Sequence, residues 1–151
     1  MDYTLLRLGT EHLDYMRLLN TLFADVFEDA QSYSEQPPSD EYLRAFLSDK
    51  AHIVLVTEQD GQVIGGLVAY HLTKFERERS EVYVYDLAVS NDHQRQGIGK
   101  ALMAKIREIA RELGAYVVFV QADEGDDAVE FYRALNPSED SATRNFDFTV
   151  E

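Results

Sequence analysis

Apolar residues recur along this chain in two rhythms. Tyr3 to Leu8 is a short, mainly apolar run that predicts a strand, after which Leu13, Met16, Leu19, Phe23 and Val26 return at helical spacing behind Thr10, a cap candidate. The stretch Glu28 to Ser39, with Pro37-Pro38, has no period and predicts a loop leading into a helix over about 40–49. Ile53 to Thr57 and Val63 to Leu72 are rich in Val, Ile and Leu and flank Gln59-Asp60-Gly61, which predicts a hairpin. Glu81 to Val89 predicts a further strand.

A polar, glycine-containing segment, Ser90 to Gly99, comes next, and Ile98, Leu102, Ile106, Ile109 and Leu113 then mark the buried stripe of an amphipathic helix that Gly114 is placed to stop. Ala115 to Gln121 reads as a strand, Asp126 to Leu135 as a helix and Phe146 to Val150 as a closing strand. The predicted order is βααβββαβαβ, a mixed α+β domain with one strand-to-helix crossover at its centre. At 151 residues, one domain over 1–151 is expected.

Composition narrows the chemistry. No cysteine is present, which excludes disulfides, thiolate zinc sites and a cysteine nucleophile. His12, His52, His71 and His93 show no metal-ligand spacing, so no metal is expected. The start, Met1-Asp2-Tyr3-Thr4, has no basic region followed by an apolar stretch, and no apolar run reaches the roughly 18 residues of a membrane span. A cytoplasmic protein that binds neither membrane nor nucleic acid is therefore expected. The formal charge of −14 attracts polycations and repels nucleic acid and anionic lipid. Only one segment runs against it: Arg95, Lys100, Lys105, Arg107 and Arg111 outnumber Asp92, Glu108 and Glu112 between residues 91 and 113.

That basic segment opens the central helix. The four unpaired N–H groups of a helix start, together with its dipole, form an anion site, and Gly97 and Gly99 let backbone approach a phosphate with no Cβ in the way. The spacing is wrong for a P-loop, since Gly97 and Gly99 are one residue apart and Ala101 follows Lys100. It is wrong for the dinucleotide fingerprint too, because Leu102 stands where a third glycine or alanine belongs.

Aspartate is depleted in strands, yet Asp86 interrupts an apolar and aromatic one. Two readings stand. Asp86 is a carboxylate that binds an ammonium and takes its proton, or it is a structural acceptor for a neighbouring loop. Asp123, Glu124, Asp126 and Asp127 likewise read either as helix caps in a solvated turn or as partners for ammonium groups.

Gln94, Gly97 and Gly99 match the Q/R-x-x-G-x-G/A cradle of the GCN5-related N-acetyltransferase (GNAT) superfamily, which this segment resembles together with its flanking strand and helix. The resemblance implies a central, mostly antiparallel twisted sheet with splayed strands 4 and 5 and helices on both faces. It also implies acetyl-CoA as cosubstrate. Gln94, Arg95, Gln96, Gly97, Ile98, Gly99 and Lys100 would then hold the pyrophosphate, and Leu87, Ala88 and Val89 the pantetheine arm. Tyr132 occupies the place of the general acid that protonates the departing thiolate; its other reading is a core tyrosine on an amphipathic helix.

Ala69-Tyr70, Lys74-Phe75-Glu76, Arg79 through Val89, Gly114-Ala115-Tyr116-Val117, Gln121-Ala122-Asp123 and Gly125-Asp126-Asp127 resemble more narrowly the type I aminoglycoside 3-N-acetyltransferases. This likeness spans nearly the whole chain. It implies direct acetyl transfer in a ternary complex to the 3-amino group of a 2-deoxystreptamine ring, and hence antibiotic resistance. Asp86 would sit at the acceptor amine beside Tyr85, and Asp123, Asp126 and Asp127 would line the pocket. Glu28, Asp29 and Tyr33 of the early loop would close its other side. Other acceptors remain open, a polyamine or a protein lysine, as does a non-catalytic CoA sensor. A homodimer is possible. The chain departs from the superfamily at Leu135-Asn136-Pro137, where a glycine is usual, and Ser138 to Arg144 receives no assignment.

Overall fold

Strand β2 (His52–Gln59) sets the layering of the computed structural model, which describes residues 2–150. Its Ile53 and Leu55 belong to one apolar cluster and Val54 and Val56 to another, all at most 1% exposed. A strand buried on both faces reads as a continuous apolar run, which is why this one was legible. Around it the strands lie in the order β1 (Thr4–Arg7), β2, β3 (Gln62–Thr73), β4 (Ser80–Val89), β5 (Ala115–Val120). Neighbours are antiparallel except β4 and β5, which run parallel and are joined through the crossover helix. The β2–β3 hairpin turns on Asp60 and Gly61, both at positive φ (52° and 79°), the conformation that Asp-Gly favours.

Helices cover both faces of the sheet. The crossover helix, α4 (Ile98–Glu112), buries Ile98, Leu102, Ile106 and Ile109 against Leu55, Leu67, Val82 and Val84. Leu113, expected in the buried stripe, instead caps the helix and is 39% exposed, and Gly114 ends it at φ 76°. On the opposite face α1 (Leu13–Val26) and α3 (Asp40–Ser48) bury Met16, Leu19, Phe23, Leu43 and Leu47. A Cβ at position 66 would collide with Leu19, so Gly66 is what lets α1 lie this close to β3.

Three local expectations are corrected. Thr10 is not the cap of α1: His12 takes that position, and its ring Nδ1 accepts from the Gly9 N–H instead of capping the helix. The loop between α1 and α3 contains a four-residue helix, α2 (Ala30–Tyr33), started by the Asp29 carboxylate accepting from Ser32 N–H. The closing strand at Phe146 to Val150 does not form, and residues 139–150 are neither helix nor strand. The alternation of Phe146, Phe148 and Val150 suits a strand, but a strand exists only as part of a ladder. The chain is organised as two compact units dividing after Val120, and among the described residues the second unit contains the helix α5 (Asp127–Ala134) and no strand.

Candidate active site

The sheet changes phase at Tyr85. Val84 pairs with Ala69 and Asp86 with Val68, so Tyr85 is an extra residue bulged out of β4. Before the bulge Val82 and Val84 pack on the α4 side; after it Leu87 and Val89 do, and Ala88 joins the α1 side. Without the bulge Asp86 would point into the core beneath α4. With it, Asp86 shares the side of Ala88 and lines a cavity of about 540 Å3 walled by α1, α2, α3 and the sheet. Pairing with β5 ends at Val84, just before the bulge, so among the described residues the edge of β4 over 85–89 that faces away from β3 has no strand beside it.

Asp86 is half-buried. The Tyr33 hydroxyl donates to its Oδ2 at 2.6 Å, and no described lysine, arginine or histidine pairs with it. Burial pushes the Asp86 carboxyl above the usual carboxylate range, partly offset by the Tyr33 hydrogen bond. Burial first, and then the hydrogen bond to Asp86, push Tyr33 above its ordinary value, so its proton stays on. Asp86 thus accepts a hydrogen bond from the segment between α1 and α3 and lines a cavity.

Aromatic rings line much of that cavity. Tyr85 meets Tyr70 edge-on at 5.8 Å, Tyr70 meets Phe46 at 6.2 Å, and Phe46 stacks on His52 at 4.1 Å. Asp29, Tyr33, Tyr85 and Asp86 are thus brought together. Glu28 makes the left-handed turn (φ 51°) after α1, with its side chain exposed. The sequence reading did not include Tyr42, Phe46 or Tyr70 in the site. The available signal was the pair of aromatic residues Tyr42 and Phe46, one helical turn apart on α3.

The glycine segment lies at the start of α4. Gly97 is the N-cap of α4 at φ 79°, with Arg95 also left-handed at φ 63°. The first bond of the helix runs from Ala101 N–H to Gly97 C=O, and no side chain caps the start. The N–H groups of Ile98, Gly99 and Lys100 therefore have no backbone acceptor. Ile98 and Gly99 are buried while Arg95, Gln96 and Lys100 are exposed. Gln94 braces the loop, its amide donating to Asn91 Oδ1 at 3.2 Å and Val89 C=O at 3.4 Å. Apart from Gly97 itself and its chain neighbours, no heavy atom lies within 4 Å of where a Cβ on Gly97 would be. The N-cap position is uncrowded and adjoins unpaired N–H groups, a combination that fits a phosphate.

In the second unit Asp126 caps α5, accepting from Ala128 N–H at 2.9 Å, and Asp127 and Glu130 stand in its first turn. The Asp123 carbonyl accepts from Asp126 N–H, and Gly125 turns the chain at φ 85°. Tyr132 lies on α5 with its ring 5.0 Å from that of Phe131. Asn136 takes the left-handed conformation (φ 58°) where a glycine is usual. Among the described residues no cluster of His, Asp or Glu could hold a metal, and no helix is long and apolar enough to cross a membrane.

The profile of the acetyltransferase (GNAT) family matches residues 18–136. The chain belongs to that family. Its five-stranded mixed sheet with helices on both faces is that family's α+β fold. An aminoglycoside acetyltransferase from an uncultured soil metagenomic sample is 38% identical with a TM-score of 0.93, covering 100% of both chains. A second such enzyme from a soil metagenomic sample, solved in complex with sisomicin, is 34% identical with a TM-score of 0.92, over 99% of this chain and 97% of that one. N-acetyltransferase 8 of Rattus norvegicus is 32% identical over 71 residues, 47% of this chain, and the match spans only 32% of the rat protein.

Proposed function

We propose that this GNAT chain transfers the acetyl group of acetyl-CoA to an amine of an aminoglycoside, the 3-amino group of its 2-deoxystreptamine ring, and so confers antibiotic resistance. The observation that carries the reading is Asp86: a carboxylate that a bulge turns out of the core into an aromatic-walled cavity large enough for an aminocyclitol ring. Carboxylates recognise ammonium groups, and aromatic faces attract both cations and the C–H faces of sugar rings. Relatives that act on aminoglycosides share this fold end to end.

The residues divide the work. The N–H groups of Ile98, Gly99 and Lys100, with Arg95 and Gln96 beside them, would hold the cosubstrate's pyrophosphate, and the open edge of Leu87, Ala88 and Val89 its pantetheine arm. Once bound, the cosubstrate supplies an acetyl thioester. An amine arrives protonated and is not a nucleophile in that state. Asp86 binds the ammonium and accepts its proton, and a raised carboxyl pKa makes it a better base than a solvated aspartate. Tyr132 is assigned the role of general acid to the leaving thiolate. Glu28, Asp29, Asp123, Asp126 and Asp127 are assigned to the remaining ammonium groups, consistent with the chain's strong negative charge.

Acetyl-CoA turnover across a panel of gentamicin, fortimicin, spermidine and a lysine peptide tests this, with the acetylated nitrogen located by NMR. Turnover on gentamicin or fortimicin at the 3-amino nitrogen is expected. Turnover on spermidine or the peptide alone overturns the substrate assignment.

A further inference from the structure

The geometry points to Tyr33 as a positioning residue for the reaction: its hydroxyl holds Asp86 Oδ2 and thereby leaves Oδ1 as the oxygen that meets the acceptor amine. This rests on Asp86 being the amine's base, as proposed above, and assigns Tyr33 a role other than contacting substrate.

The pairing is built into the first unit. Tyr33 reaches Asp86 across 53 positions of sequence, from the end of α2, with a 2.6 Å bond. Its ring is held against Phe23 at 5.6 Å and Phe27 at 5.7 Å, and those two rings stack on each other at 5.4 Å. Phe23 is 1% exposed, a fixed part of the core, so Tyr33 is anchored independently of any ligand. The α2 turn that presents it is fixed in turn by Asp29, which caps Ser32 N–H, and by the left-handed turn at Glu28. Among the described residues the carboxylate's other oxygen, Oδ1, accepts no hydrogen bond. A carboxylate on two single bonds rotates; one pinned at Oδ2 offers Oδ1 in a fixed direction, the condition for efficient proton transfer.

Position has an electrostatic consequence. The titratable groups near Asp86 are Tyr33 and Asp29 from α2, Tyr42 from α3, Tyr70 from β3, and Tyr83 and Tyr85 from β4 itself. None is a cation. Within this unit Tyr33 is therefore the group that favours the ionised carboxylate against burial, which disfavours it. Removing its hydroxyl raises the pH needed to ionise Asp86, and the acidic limb of the rate profile moves up with it.

Tyr33→Phe keeps the ring and deletes only the hydroxyl. For an amine the wild type accepts, kcat/KM of the variant is expected to fall about tenfold on the acidic limb, the worth of one hydrogen bond to a charged group, and to recover to within about threefold at the alkaline plateau. Melting temperature and CoA affinity stay near wild type. A loss of the same factor at every pH, or no change, overturns the proposal. Should the wild type acetylate none of the amines tried, the proposed function fails instead, and the Tyr33 proposal is read directly. The 13C carboxyl signal of Asp86, assigned with Asp86→Asn, should titrate at higher pH in Tyr33→Phe than in wild type; coincident titrations overturn it.

Discussion

Gly97→Ala separates the cost of a backbone conformation from the loss of a ligand site. Gly97 sits at φ 79°, and an added Cβ meets nothing within 4 Å. In the protein alone the substitution therefore carries only the left-handed penalty of a non-glycine residue, about 1 kcal/mol, or about 2–4 °C in melting temperature for a chain of this size. Gly114 provides a matched control. It ends the same helix at φ 76°, and its Cβ would also meet nothing within 4 Å, so Gly114→Ala carries the same penalty at the other end of α4. The two variants differ in what lies beside them. Position 97 directly precedes the unpaired N–H groups of Ile98, Gly99 and Lys100, to which the diphosphate is assigned, and position 114 does not. Weakening even one charge-assisted hydrogen bond there costs about tenfold in affinity. Calorimetric titration with CoA, paired with thermal melts, reads both quantities. The expected result is similar melting temperatures for the two variants, with CoA affinity lowered tenfold or more only in Gly97→Ala. Equal CoA affinity in both variants refutes the assignment of the diphosphate to this helix start.

Other outcomes follow from the same geometry. Gly66→Ala forces a methyl into Leu19 and to 3.0 Å from the Leu55 carbonyl, and urea melts should show a loss of about 1–3 kcal/mol, with α1 displaced from β3. Asp86→Asn should melt above wild type at neutral pH. The folded-state pKa of Asp86 is raised, so its contribution to stability is fullest below the unfolded carboxylate value and is lost as pH rises through the folded one. The gap in melting temperature should thus close on acidification, and a gap that widens as pH falls contradicts the burial argument. Tyr85→Ala removes a ring from the cavity wall and should raise the aminoglycoside KM about threefold or more with little change in kcat, measured by steady-state kinetics.

What could be read from residues alone was whatever a local pattern encodes. The double-faced burial of β2, the 3.6-residue stripe of α4 and the Asp-Gly hairpin all have a signature within a few residues of themselves. Asp86 was legible for the same reason, as a charge inside an apolar strand. The bulge that aims it was not. Tyr85 is an ordinary strand residue, and its exclusion from the ladder is visible only once Val84 and Asp86 are matched to Ala69 and Val68. Tyr33 belonged to a loop without period, and the helix of four residues that presents it is too short to produce one. Its link to Asp86 is tertiary. The mistaken strand at Phe146 to Val150 shows the converse: alternation states that a segment can pair, not that a partner exists.

The most direct test compares wild type and Asp86→Asn in one experiment, with CoA binding followed by calorimetry and acetyl transfer to gentamicin followed by thiol release. The account predicts equal CoA affinity, with turnover by wild type and a loss of about 100-fold or more in the variant. Folded, CoA-binding wild type that leaves every aminoglycoside unacetylated, or a variant as fast as wild type, contradicts it.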